Sequence, residues 1–159
     1  MCIGYIVLFG DIDNYVNLYP LPLFIIKDMK EKKLEKIEYI ASACLCGIPC
    51  RYNAGSKPDE EVVKLMKEGK VFPVCPEVWA GCKIPRPAAD VINGKVIEKD
   101  GTDVTKQYVK GAKMCTKVAI ALKVKKSFLK KGSPSCGKNG VFTKCLQDEG
   151  IKLIFKKGE

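Results

Sequence analysis

Lys36-Ile-Glu-Tyr-Ile-Ala-Ser-Ala43 runs without a break into Cys44-Leu-Cys-Gly-Ile-Pro-Cys50, and the reading of this stretch decides the fold. Its first part thickens in apolar residues toward its end, as a buried strand does. Gly47 and Pro49 then mark a tight loop at the strand's carboxyl end. A cysteine therefore stands where a strand exits into a turn.

The same arrangement recurs downstream. Asp59-Glu-Glu-Val-Val-Lys-Leu-Met-Lys-Glu68 predicts a helix with acids in its first turn, opened by Pro58 or Asp59 and closed by Gly69. Lys70-Val-Phe-Pro-Val74 predicts a second strand, with Cys75-Pro-Glu77 at its exit and an extended loop through Pro85-Arg86-Pro87. Residues 90–98, with Asn93-Gly94 between apolar pairs, predict a hairpin. A second helix is expected from Gly101-Thr-Asp-Val104 to about Lys123, capped by Thr102 or Asp103. Residues 126–131 predict a third strand, followed by the loop Gly132-Ser-Pro-Ser-Cys-Gly137, a short helix over 141–149 and a last strand over 151–155. This order predicts a single α/β domain: a small, mostly parallel, Rossmann-like sheet flanked by helices, plus a short hairpin.

Ligands of open α/β sheets bind outside the carboxyl ends of the strands. Cys44, Cys75 and Cys136 each follow a predicted strand, 31 and 61 residues apart, so the fold can gather them at one sheet edge. The chain has nine cysteines and no histidine. Without histidine there is no Ser-His-Asp or Cys-His nucleophile and no histidine-bound zinc or iron. The cysteine number is odd and no secretory signal precedes it, so thiolate ligands are expected over a disulfide framework. Soft thiolates favour zinc or iron–sulfur. Zinc modules use two close Cys pairs, whereas only the Cys44, Cys46, Cys50 group is local here. A structural zinc stays open, as does burial of individual thiols as small hydrophobes.

The net charge is +10. It comes from scattered lysines with no dense run interleaved with aromatics, which reads as a solvated surface, with nucleic acid left open. Residues 1–28 differ from the rest. Two short apolar runs flank a polar stretch, and Pro20 and Pro22 interrupt the second. Neither run reaches a membrane span. They are expected to form an N-terminal extension outside a 29–159 domain, with Met29 a candidate start. No membrane partner is expected, the location is expected to be cytoplasmic, and the assembly a monomer or homodimer.

Six stretches together resemble the thiouracil desulfurase family: Ser42-Ala-Cys-Leu-Cys-Gly47, Cys50-Arg-Tyr-Asn53, Val74-Cys-Pro-Glu-Val78, Pro85-Arg-Pro-Ala-Ala89, Gly101-Thr-Asp-Val-Thr105 and Ser133-Pro-Ser-Cys-Gly137. Each is modest alone; their joint order from about Ile37 to Phe155 is specific. The resemblance implies a 4Fe–4S cluster held by Cys44, Cys75 and Cys136, with one iron free of protein ligands. It also implies a small thionucleobase substrate such as 2-thiouracil, desulfurated hydrolytically without net redox change. A proton-transfer group is then required, and Glu77, two residues beyond Cys75, is the expected general acid/base. Ser135 is expected to contact substrate or cluster, ahead of Ser42 and Ser133. The chain departs from the family at Cys46, where an aliphatic residue is usual, and Cys46 competes with Cys44 as first ligand.

Overall fold

The computed structural model describes residues 37–159. The expectations for residues 1–28 and for a start at Met29 lie outside the described residues. Four strands form a parallel sheet in the order β2-β1-β5-β6: β1 (Tyr39–Ser42), β2 (Val71–Val74), β5 (Lys126–Lys130) and β6 (Lys152–Lys156). Helices α1 (Glu60–Lys67), α3 (Thr105–Ala121) and α4 (Val141–Asp148) fill the connections. The Asp59 carboxylate caps α1 by accepting the Val62 N–H at 3.4 Å. Strands β3 (Ala89–Ile92) and β4 (Lys95–Glu98) make the expected hairpin, with Asn93 and Gly94 both at positive φ.

Both sheet faces are covered, so the middles of these strands are apolar on both sides rather than alternating. Successive residues point to opposite faces. Ile40, Val74 and Leu129 pack with Ala112, Cys115 and Ala119 of α3 and Phe142 and Leu146 of α4. Ala41, Val71 and Phe128 pack with Val62 of α1. The chain leaves β1 for β2 on one side and later crosses to β5 on the other, so the loops after β2, β1 and β5 are neighbours. Those are the three loops that carry Cys75, Cys44 and Cys136.

The structure corrects three local expectations. The first strand ends at Ser42, and Ala43–Cys46 curl into a 3₁₀ turn closed by Gly47 at φ 86°. Pro76–Trp79 form a short helix, α2, where an extended loop was expected; Cys75 is its N-cap and its carbonyl accepts the Trp79 N–H at 2.9 Å. Helix α3 starts at Thr105, and Asp103 supports it by accepting the Thr105 N–H at 3.0 Å. Among the described residues no helix is long and apolar enough to cross a membrane.

Candidate active site

The loops at the carboxyl edge of the sheet enclose a cavity of about 320 Å³. Four thiols line it: Cys44, Cys50, Cys75 and Cys136. None of them is in a disulfide. The turn after β1 folds back through Gly47 and brings Cys50 against Cys44, Cys75 and Val78. The Cys75 thiol donates to the Cys50 carbonyl at 3.9 Å. The Cys136 loop is held from two sides. Ser133 Oγ accepts the N–H groups of Ser135 and Cys136, both at 3.1 Å, and Thr143 Oγ1 donates to the Cys136 carbonyl at 3.0 Å. A Cβ at Gly140 would stand 2.2 Å from the Ser135 carbonyl, so only glycine lets α4 begin this close beneath the loop.

Cys46 does not line the cavity. Its thiol packs with Ala41, Leu45, Val62, Val71 and Phe128 under α1. The 3₁₀ turn explains this, because it rotates residue i+2 well away from residue i, whereas an extended strand would have put both on one face. Burial pushes the Cys46 thiol up to about 11. Replacing Cys46 by alanine is therefore expected to leave iron content unchanged and to cost only about 1 kcal/mol, roughly 2–4 °C in Tm. Iron analysis beside a thermal melt checks this; loss of iron would make Cys46 the first ligand.

Two of the cavity thiols, Cys75 and Cys136, are likewise held neutral by their surroundings. A hydrogen bond with the Cys50 thiol, then burial, pushes Cys75 up. Burial pushes Cys136 far above the thiol range, against a hydrogen bond from Ser42 that favours its thiolate. Coordinated iron reverses such a preference, since metal-bound thiols are deprotonated outright. An all-sulfur donor set fits iron–sulfur or zinc. Among the described residues, no three or more Cys, Asp or Glu side chains are placed to hold a single metal ion.

Glu77 follows Cys75 into the cavity wall and is 8% exposed. Its Oε2 accepts three donors: Arg86 Nε at 2.8 Å, Arg86 Nη2, and the Tyr108 hydroxyl at 3.3 Å. Among the described residues its Oε1 accepts only the Ser133 hydroxyl, at 3.4 Å. Arg86 Nη2 also donates to the Cys50 carbonyl at 3.1 Å, tying the carboxylate to the first cysteine loop. Burial pushes the Tyr108 phenol upward, so it stays a neutral donor. The basic side chains of the wall are Arg51, Arg86, Lys99, Lys130 and Lys131, against the carboxylates Glu77 and Asp90. The surplus of cations suits anionic sulfur species.

The expected residues Cys44, Cys75, Cys136 and Glu77 thus share one wall. Ser135 is 1% exposed and does not line the cavity, and among the described residues its hydroxyl has no partner. The serine of that loop that meets Glu77 is Ser133. The sequence reading missed Tyr108, which reaches Glu77 from the first turn of α3, 31 residues away, with no local signal. Arg86 stands in the sequence only as part of the Pro85-Arg-Pro loop motif, with nothing local to mark it as the clamp on Glu77.

The sequence matches the family described as 2-thiouracil desulfurase over residues 40–157. It is 36% identical to YbbK of Bacillus subtilis (strain 168), an uncharacterized protein, over 74% of this chain and 88% of that one. The solved structure of a 4Fe–4S-dependent thiouracil desulfidase, TudS, matches with a TM-score of 0.72 at 33% identity, covering 76% of this chain and 91% of that one.

Proposed function

The chain belongs to the 2-thiouracil desulfurase family, and from that premise we propose that it hydrolyses the C=S bond of a small thionucleobase, giving the oxo base and hydrosulfide without net redox change. The supporting observation is that three strand-end thiols and one clamped carboxylate line the same cavity. Cys44, Cys75 and Cys136 would hold a 4Fe–4S cluster, leaving one iron without a protein ligand. When bound, the cluster supplies a Lewis-acidic iron whose open position suits a soft thiocarbonyl sulfur.

The protein's own residues then supply proton transfer and orientation. Arg86 and Tyr108 saturate Glu77 Oε2, so Oε1 is the oxygen left to take a proton from water. Ser133 is a directed donor: two backbone N–H groups occupy its oxygen, which leaves its proton to point at Glu77. The role expected for Ser135 passes to Ser133. The cavity lies at the small end of the ligand-site range and would have to take cluster and substrate together, which restricts the substrate to a small one. The basic side chains favour the anionic cluster and the departing hydrosulfide.

The test is anaerobic incubation of cluster-loaded protein with 2-thiouracil, following uracil and sulfide. Equimolar release of both is expected. Glu77→Gln should keep its iron yet lose about 10²–10⁴-fold in kcat. Loaded wild-type protein that releases no sulfide would overturn the reading, and an unimpaired Glu77→Gln would remove the carboxylate from it.

A further inference from the structure

Two aromatic side chains line the cavity, Tyr52 and Tyr108. They are placed very differently. Tyr108 is 2% exposed, packed between Ala89 and Val96 of the hairpin, with its hydroxyl committed to Glu77. Tyr52 is 42% exposed, an unusual state for a large aromatic ring on a cavity wall. Its position is nonetheless fixed. The Arg86 N–H donates to the Tyr52 carbonyl at 2.9 Å, pinning residue 52 to the loop that also clamps Glu77. The turn around it is closed by the Ala54 N–H on the Arg51 carbonyl at 3.0 Å, with Ala54 at φ 58°. The Arg51 guanidinium lies over the ring, 5.5 Å from its centroid. A cation thus lies over one face of the ring, while the residue stays 42% exposed on the cavity wall.

A pinned, half-open ring beside a small cavity is what a flat heterocycle needs. Base–aromatic stacking tolerates any base, because every base offers a π-face, and it gives affinity without demanding a particular hydrogen-bond pattern. We propose that Tyr52 is the stacking platform for the substrate ring, so that the site selects planar heteroaromatic thiocarbonyls over acyclic ones. The proposal rests on the desulfurase reading for the identity of the ring, and on the geometry of Tyr52 for the contact.

The test uses the full, cluster-loaded chain. Binding of uracil, which carries no sulfur to lose, is measured by equilibrium dialysis for wild type, Tyr52→Phe and Tyr52→Leu. The phenylalanine variant should stay within about twofold of wild type, and the leucine variant should bind at least about fivefold more weakly, since leucine keeps apolar bulk but has no π-face. In turnover, Tyr52→Leu should raise KM for 2-thiouracil by the same factor with little change in kcat. Its KM for thiourea, an acyclic thiocarbonyl, should not move. Unchanged uracil binding in Tyr52→Leu, no uracil binding by wild type, or equal KM increases for thiouracil and thiourea would each overturn the platform. The two readings fail separately. Tyrosine-dependent uracil binding without sulfide release would sink the desulfurase alone, and sulfide release with uracil binding indifferent to Tyr52 would sink the platform alone.

Discussion

Replacing Cys44, Cys75 or Cys136 by alanine is expected to strip iron and acid-labile sulfide from anaerobically prepared protein to background, while Cys50→Ala keeps both. The expectation rests on how the fold delivers each thiol. The three come from the ends of β1, β2 and β5, neighbours in one parallel sheet, so each approaches the cavity on a separate rigid support. If the three hold the proposed cluster, removing any one would take away a third of its protein thiolates and open a hole in the cavity wall. Cys50 differs in kind. It reaches the cavity on the same loop as Cys44, packed against Cys44 and Cys75. Its thiol is pushed up to about 12, first by a hydrogen bond with Cys44, just as Cys75 is pushed up by Cys50, so the loop it shares with Cys44, and not its titration, sets it apart. Iron and sulfide analysis of the four variants separates the assignments. Loss of iron in Cys50→Ala with retention in Cys44→Ala would exchange the first ligand, and retention in all four would remove the cluster from this cavity.

The cysteine positions could be read from sequence because strand ends announce themselves. A short apolar run stopping at Gly, Pro or Ser is a local signal, and parallel connectivity then places the three exits side by side. The details around each thiol were set by forces that leave no local trace. Residues 43–46 carry the apolar pattern of a continuing strand, yet they coil because the backbone turns over Gly47, and this sends Cys46 into the core and Cys44 into the cavity. Pro76–Trp79 are too few residues to show a helical period. Choosing between Ser133 and Ser135 depended on which way a tight loop faces, and the close approach of Gly140 to the Ser135 carbonyl fixes that. The Glu77 clamp joins side chains 9 and 31 residues away, so only the tertiary fold reveals it.

Gly111→Ala is expected to be the most damaging single-methyl change in the molecule, although Gly111 touches no cavity residue through a side chain. Glycine in a helix interior costs about 1 kcal/mol against alanine, so propensity alone favours the substitution. Packing outweighs it. A Cβ at Gly111 would stand 1.8 Å from the Pro76 carbonyl oxygen and 2.9 Å from the Ala80 Cβ. The first of these contacts is with backbone, which has no rotamer to escape into. To admit the methyl, α3 must move off α2, the helix that Cys75 caps and in which Glu77 lies. Overpacking of this size costs about 3 kcal/mol, or roughly 6–12 °C in Tm for a chain of this length. The displaced α2 carries the Cys75 thiol and the clamped carboxylate with it, so iron content and turnover should fall together. Adding Ala80→Gly clears the methyl contact and leaves the carbonyl in place, so the double variant should remain defective. A Tm for Gly111→Ala within about 2 °C of the parent, with iron retained, would show that α2 and α3 do not meet as described. Full recovery in the double variant would show that Ala80, and not the Pro76 backbone, sets the distance between the two helices.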